Sequence, residues 1–391
     1  MRFCFVSTFF PAVTFSIMQN TVRRGHKADF FMFASQGKSF TETFTFDEPV
    51  RGNRIIPVKK TNNIYNYLSN NIGFSIVPYY LVKNRKYLIG FLAYFKNILI
   101  LRNLSKRVKS VNYDIIYVVV NEEHDAIFCK ILKKRGFNNV IITYHEVVQN
   151  HLGVSKLKGV VKETINLGYP VIVHSDNVKK KLCQLAGSDN VFKMPFGTME
   201  PYLLYDRKEP MINGAYILYI GSIHPYKGLS FLYQALKETK DTLNYRIVVA
   251  GRGNDPIIDK MKSDEKYYVI NRYISDKDFS TLVKYAKCII CPYVAGSQSG
   301  IPSVAMLYGT PVIATKTAAF TEYIENGVNG LLIDYGDEKG LLDAISYILG
   351  SEKKVCSQVP EQLKWDNIIS NLEIICKEQV LPQNRNPSAP N

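Results

Sequence analysis

Several short stretches in the second half of the chain place phosphate-seeking groups directly after apolar runs. Gly221-Ser222 follows AYILYI (215–220), and Lys227-Gly228 opens the segment beyond it. Gly251-Arg252-Gly253 follows RIVVA (246–250), and Gln298-Ser299-Gly300-Ile301 follows CIICPY (288–293). A lysine or arginine just past a strand can meet a phosphate, as a point charge or as a planar fork. A small-residue loop that runs into a helix adds unpaired backbone N–H groups and the positive end of the helix dipole. Pro302 and Gly309 mark such a helix, in its first turn and just past its end. The chemistry these groups share is recognition of a diphosphate. Each also has a plainer reading. Lys227 can be a solvated lysine, Glu322 the cap of a helix in the last turn, and the glycine-rich turn a loop without a ligand. Gly251-Arg252-Gly253 lacks the third glycine and the spaced acid of a dinucleotide fingerprint, so NAD is discounted. In the first half, His145 ends VIITYH beside Glu146, a place where a histidine is ordinarily structural.

The elements that must position these groups read as alternating strands and helices. FCFVS (3–7), ADFFMF (28–33), IIYVVV (115–120), VIIT (140–143) and VIVH (171–174) are short apolar runs that suit strands buried on both faces. Helical patterns lie between them, such as His124–Arg135 with Ile127, Ile131 and Leu132 on one side. A linker is expected near 195–213, rich in Pro and Gly. After it the alternation restarts with strands at 215–220, 246–250, 267–270, 288–291, 311–314 and 330–333. Helices are expected at 228–238, 276–286 and 337–349, the second started by Ser275 with Asp278 three residues on. The expected class is α/β, with two Rossmann-like domains whose strand ends face a cleft. The expected domains are 1–200 with a basic insert at 50–110, and 201–360. A helix at 361–381 would pack back on the first, and 382–391 would be a disordered tail.

With 391 residues, 46% hydrophobic and 21% charged, the chain has room for two domains with large cores. Its net charge of +15 is concentrated: no acid lies between Glu48 and Asp114, a stretch that holds twelve Lys and Arg residues. Such a patch should face something anionic. Within it, YLIGFLAYFKNILILRNLSKRVKS (87–110) is apolar over most of a helix circumference and turns basic at its end. It is either a core helix with a solvated tail or a helix lying in a membrane surface. In the second case, headgroup contacts contribute roughly 1 kcal/mol per basic residue. The acid-free surroundings favour the second, with Lys83, Arg85, Lys86, Arg102, Lys106 and Arg107 on the headgroups. No stretch of eighteen apolar residues occurs, so a spanning helix is not expected. The N-terminal run reads as a first strand rather than a signal peptide. Seven scattered cysteines suit reduced thiols, with Cys288 and Cys291 as buried core groups and not zinc ligands.

Taken together, the order and spacing of these sites resemble the retaining glycosyltransferases of family GT4, which have the two-domain GT-B fold. The resemblance runs over residues 110–350, through ILYIGSIHPYKGLSFLYQAL, VVAGRG and, most specifically, GTPVIATKTAAFTEYIENGVNGLLI. It implies a nucleotide-diphosphate sugar held mainly by the second domain, without a metal or a resident cofactor. Lys227 would contact the diphosphate, backbone near Tyr273 and Ile274 the base, and the loop at 297–301 the sugar and phosphate. His145 would lie near the reacting carbon. Departures from the family pattern are Ser222 in place of an arginine, and Gly296 and Val304 in place of two glutamates. Residues 8–14 also lack the family's glycine-rich loop. Gln298 or Ser299 would then take over the sugar contact, and backbone the ribose.

The expectation is a cytoplasmic enzyme, peripheral on the inner face of the cell membrane. It would move a hexose-type sugar to a lipid-diphosphate-linked saccharide in surface polysaccharide assembly. The alternatives are an inactive relative that binds nucleotide sugar or a partner enzyme, and a nucleotide-sugar epimerase of the same fold. An epimerase needs a pair of acid/base carboxylates that the sequence does not supply. A nucleic-acid partner is suggested by charge alone, with no recognised module, and none is expected.

Overall fold

Short apolar runs become the strands of two parallel sheets. The computed structural model describes residues 1–8, 11–37, 49–59, 68, 71–82, 88–145, 147–149, 156–205, 207–237, 245–296, 298–351 and 355–381. The chain divides into two units: Met1–Pro195 with the segment from Trp365 onward, and Phe196–Lys364. The expected tail at 382–391 lies outside the described residues.

The first unit contains the strands β1 (Arg2–Ser7), β2 (Lys27–Ser35), β3 (Ile56–Pro57), β4 (Ile72–Tyr79), β5 (Ile115–Val119) and β6 (Val140–Thr143). The small pair β7 (Val148–Gln149) and β8 (Lys156–Leu157) follows, then β9 (Val171–Val173) and β10 (Val191–Lys193). Its helices are α1 (Pro11–Arg23), α2 (Leu88–Val111), α3 (Glu123–Lys134), α4 (Gly159–Ile165) and α5 (Asp176–Ala186). The main sheet runs β10-β9-β6-β5-β1-β2-β4-β3, parallel except for the short β3. The N-terminal run is its centre: β1 pairs with β5 on one side and β2 on the other, and Phe3–Ser7 are all buried.

Residues 60–110 depart from expectation. They contain β4, which is not among the expected strands and which carries Gly73 and Pro78. Pro78 is tolerated because the strand on that side, β3, pairs only with Ser75 and Ile76. α2 buries a stripe of mostly small or late residues: Gly90, Ala93, Asn97, Ile100, Leu101, Leu104, Ser105 and Val108. Asn97 anchors the helix by accepting from the Tyr80 N–H at 2.8 Å and donating to the Tyr80 carbonyl at 2.9 Å. Larger apolar side chains are left outside, with Leu88 72%, Ile89 83%, Phe91 56% and Phe95 51% exposed. By length and composition α2 would also suffice to cross a membrane, although it contains no run of eighteen apolar residues.

The second unit contains β11 (Tyr216–Ile220), β12 (Arg246–Gly251), β13 (Tyr267–Asn271), β14 (Cys288–Cys291), β15 (Val312–Thr315) and β16 (Gly330–Ile333). Between them lie α6 (Leu229–Lys237), α7 (Ile257–Lys262), α8 (Asp276–Tyr285) and α9 (Ile301–Tyr308), with α10 (Glu338–Gly350) after the last. The sheet order is β13-β12-β11-β14-β15-β16, all parallel. Strands step one way from β11 and the other way from β14, so the order reverses between these two. Parallel sheets bind ligands at the carboxyl ends beside such a reversal. Ser275 caps α8 by accepting the Asp278 N–H at 3.2 Å, a contact of about 1 kcal/mol. Cys288 and Cys291 are buried core thiols.

One expectation is refined here and one fails. The 195–213 linker begins at the boundary between the two units, and it is folded: it forms a 3-10 turn over Glu200–Tyr205. The Tyr202 carbonyl in that turn accepts from Ser280 Oγ on α8 at 3.2 Å and from the Tyr308 hydroxyl on α9 at 3.1 Å. Glu322 does not start a helix. It lies in a tight turn held by Thr321 and Phe320 N–H bonds to the Thr317 carbonyl, and the chain goes on into β16. Past the second unit, α11 (Trp365–Ile375) belongs to the first. Its Glu373 accepts from Arg24 at 3.0 and 3.2 Å and pairs with His26 at 2.9 Å.

Candidate functional site

The loops at the reversal between β11 and β14 are built largely from backbone. Gly221 N–H donates to the Ala250 carbonyl, Ile223 N–H to the Arg252 carbonyl and Asn254 N–H to the Ile223 carbonyl, at 3.0–3.1 Å. This zips the loop after β11 to the loop after β12. A Cβ on Gly251 would fall 1.7 Å from the Gly221 carbonyl oxygen, so the close approach requires glycine there. Asn271 joins the third loop, its side chain spanning the Gly253 N–H and carbonyl at 3.4 and 3.3 Å. Arg252 is exposed on this backbone frame, and its guanidinium has no partner among the described residues. Ser222 is exposed and uses its carbonyl to accept the Tyr219 hydroxyl at 2.9 Å.

Lys227 ends a one-turn 3-10 segment, Pro225–Lys227. Gly228 follows at φ +74°, where a Cβ would meet the Pro292 carbonyl oxygen at 1.8 Å. That approach brings Lys227 over the end of β14, with its Nζ 3.7 Å from the Tyr293 ring centre and 5.2 Å from that of Tyr226. The ammonium therefore rests on aromatic faces, with no carboxylate paired to it among the described residues. Burial brings its pKa down to about 8.

Tyr293 gathers the site. Its side chain hydrogen-bonds Ser299, and its ring meets Phe320 edge-on at 4.8 Å. A Cβ on Gly221 would lie 3.9 Å from its hydroxyl and 3.8 Å from Ile301 Cδ1. Gly221, Lys227, Ser299 and Ile301 thus meet around one buried phenol. Sequence reasoning passed over Tyr293, although an aromatic closing CIICPY directly before a small-residue loop is a usable signal. Ser299 Oγ accepts the Ile301 N–H at 3.4 Å, and no side chain caps the helix at Gly300. The Gly300 and Ser303 N–H groups make no hydrogen bond among the described residues. Unpaired donors at the start of a helix are the kind of groups that suit an anion.

Tyr273 and Ile274 follow β13 at the far side of the zipped loops. The Tyr273 carbonyl is taken by Arg272 at 3.0 Å, while the Ile274 backbone groups make no hydrogen bond among the described residues. Val304 is 1% exposed inside α9, and Gly296 would place a Cβ 3.2 Å from Ala319 Cβ. Three buried polar atoms around these loops have no partner among the described residues: Gln298 Nε2, Ser303 Oγ and Thr317 Oγ1.

In the first unit, the rings of His145 and His174 lie with centres 4.6 Å apart, tilted by 33°. Burial holds both neutral: His145 well below the usual histidine value, with His174 adding to the effect, and His174 down to about 4. His174 Nδ1 donates to the Met194 carbonyl at 2.8 Å, leaving Nε2 near Thr143 Oγ1 at 3.3 Å. Glu146, Lys83, Arg85 and Lys86 lie outside the described residues. Arg102 and Lys106 project from α2 into solvent, and the Arg107 guanidinium sits over the Phe31 ring at 5.5 Å.

Residues 214–351 match the family model of glycosyl transferases group 1. This group 1 segment covers the whole of the second sheet. Among curated proteins, a phosphatidyl-myo-inositol mannosyltransferase from Mycobacterium leprae is 26% identical over 225 residues, 54% of this chain. The match spans 58% of that relative's length. Among solved structures, trehalose-6-phosphate from E. coli bound with UDP-2-fluoro glucose superposes with a TM-score of 0.58 at 12% identity, covering 98% of this chain and 97% of that one. An Anabaena protein, HepE, in complex with UDP gives 0.55 at 16% identity, covering 97% and 96%. These likenesses show the fold: mixed α/β with two parallel sheets, as in GT-B glycosyltransferases.

Proposed function

We propose that the chain is a retaining, metal-independent hexosyltransferase that uses a nucleotide-diphosphate sugar. The observation that carries this is Lys227, an ammonium on the Tyr293 face that has no carboxylate partner among the described residues, together with the Gly300 and Ser303 N–H groups, which make no hydrogen bond among them. As the diphosphate leaves, Lys227 and those N–H groups take up its developing charge from fixed positions. Such preorganised stabilisation is typically the largest catalytic contribution. Arg252, whose guanidinium has no partner among the described residues, is the second cation for the diphosphate. Ile274 backbone holds the base, and Gln298 replaces the family's sugar-binding carboxylate. His145, kept neutral by burial, is read as the histidine near the reacting carbon.

The acceptor is proposed to be a lipid-linked saccharide at the cytoplasmic membrane face, in surface polysaccharide assembly. Two observations support this. α2 exposes Leu88, Ile89, Phe91 and Phe95 ahead of a basic end, and the mannosyltransferase relative is named for a lipid acceptor. Apolar insertion followed by basic contact is how an interfacial helix binds anionic headgroups.

The decisive experiment replaces Lys227 with Met and measures donor binding and transfer. Loss of roughly 100-fold in donor affinity is expected for a charge-assisted phosphate contact, with the fold retained. Unchanged affinity and rate would remove the diphosphate assignment. A second reading, a donor-binding protein without turnover, is favoured by Gly296 and Val304, which cannot supply carboxylates. Donor binding by calorimetry together with no transfer to any acceptor extract would select it.

A further inference from the structure

We propose that Thr317 reads a hydroxyl of the donor's hexosyl group, acting with Gln298. The proposal rests on the nucleotide-sugar reading of the second unit and adds a residue to it.

The turn after β15 is fixed before any ligand arrives. Thr315 Oγ1 donates to the Tyr293 carbonyl at 2.6 Å, which ties this turn to the loop after β14. Thr317 N–H donates to the Thr315 carbonyl at 2.7 Å, and its carbonyl accepts from Phe320 and Thr321 N–H at 2.9 and 3.0 Å. The two loops also touch at Gly296 and Ala319, where a Cβ on the glycine would be 3.2 Å from the alanine's. Every backbone group of Thr317 is therefore used, while its hydroxyl is buried and unpartnered among the described residues. Gln298 Nε2, on the adjoining loop, is in the same condition.

A buried polar atom without a partner destabilises the free protein, and a pair of them on touching loops invites one explanation. A sugar hydroxyl is both donor and acceptor. It can take the amide N–H of Gln298 and exchange a hydrogen bond with Thr317, satisfying both atoms at once. A site built this way rejects an analogue that lacks the hydroxyl, because binding would leave its polar groups buried and unpaired. The ligand class is a nucleotide-diphosphate hexose with free hydroxyls, in preference to its deoxy counterparts.

The test compares wild type, Thr317→Val and Thr317→Ser by calorimetry against UDP, GDP, UDP-glucose, UDP-galactose and GDP-mannose. Thr317→Val keeps shape and removes only the hydroxyl. For the sugar nucleotide that wild type binds, Thr317→Val is expected to weaken affinity at least tenfold, and Thr317→Ser to restore most of it. Affinity for the bare nucleoside diphosphate should stay within twofold. The Val variant should also melt higher than wild type without ligand, since it removes an unsatisfied buried group. Equal affinity of wild type and Thr317→Val for the sugar nucleotide would overturn the role of Thr317 while leaving the donor reading intact. So would equal weakening of the bare diphosphate. A wild-type protein that binds none of the five would instead overturn the donor reading, and this proposal with it.

Discussion

Lys227 lies on a tyrosine face instead of beside a carboxylate, and that difference has a measurable pH signature. The free lysine, at about 8, sits well below an unperturbed lysine near 10.4 because burial penalises its charge. A bound diphosphate would restore the charged form, so donor binding above pH 8 takes up a proton. The apparent dissociation constant is expected to rise with pH above 8, by up to about tenfold per unit. Calorimetry at pH 7, 8 and 9 checks this, and a Lys227→Met variant should lose the slope. The same shift acts in the opposite direction on folding. Between pH 8 and the unfolded value the unfolded chain holds more protons, so this lysine's contribution to stability rises with pH. At this scale the sequence showed which residues follow strands, and so offered Lys227, Ser299 and Gly300 as candidates. Tyr293 carried a signal, as the aromatic closing CIICPY, but its contacts with Lys227 and Ser299, like the turn around Thr317, form only where loops after different strands meet. The sequence could not show that Glu322 lies in a turn, since a single acid before an apolar run looks the same in either setting.

α2 shows what periodicity reads at the level of an element and what it does not. Runs such as CIIC and VIIT leave no choice of face, so strands buried on both sides were legible from composition alone. α2 is apolar nearly all round, so no stripe stands out, and its packed face turned out to be Gly90, Ala93, Asn97 and the residues one and two turns on. Small residues let the helix approach the sheet closely, and the larger Phe91 and Phe95 are left outside. Replacing Phe91 and Phe95 with Ser should therefore cost little stability. In a flotation assay it should markedly reduce binding to vesicles containing phosphatidylglycerol, and Arg102→Gln with Lys106→Gln should do the same at low salt. Full binding by both double variants would remove the docking role of this helix. β4 was missed for a different reason. Gly73 and Pro78 are turn signals in isolation, and only the shortness of β3 makes a proline acceptable there.

At the scale of the whole molecule, the first unit carries a built-in acid sensitivity. His174 is held neutral down to about 4 by burial, whereas the unfolded chain protonates near 6.5. Protons therefore favour the unfolded state as pH falls from 6.5 to 4, and this residue alone removes about 3 kcal/mol across that window. His145, shifted in the same direction, adds to it. Trp365 is the chain's single tryptophan and lies in the first unit, so its fluorescence follows that unit selectively. Urea midpoints read from it should fall steeply between pH 6.5 and 4.5, and less so in His174→Asn. The two-sheet α/β plan was the most legible feature, because alternating strand and helix patterns admit few other arrangements. The return of the chain to its first unit at Trp365 also has a consequence for biosynthesis. α11 packs on α1, and its Glu373 holds Arg24 and His26 just past the end of that helix, but a ribosome makes it only after the entire second unit. The first unit to emerge is thus the last to be completed. During translation it must wait with the α11 site on α1 uncovered while Phe196–Lys364 folds ahead of it.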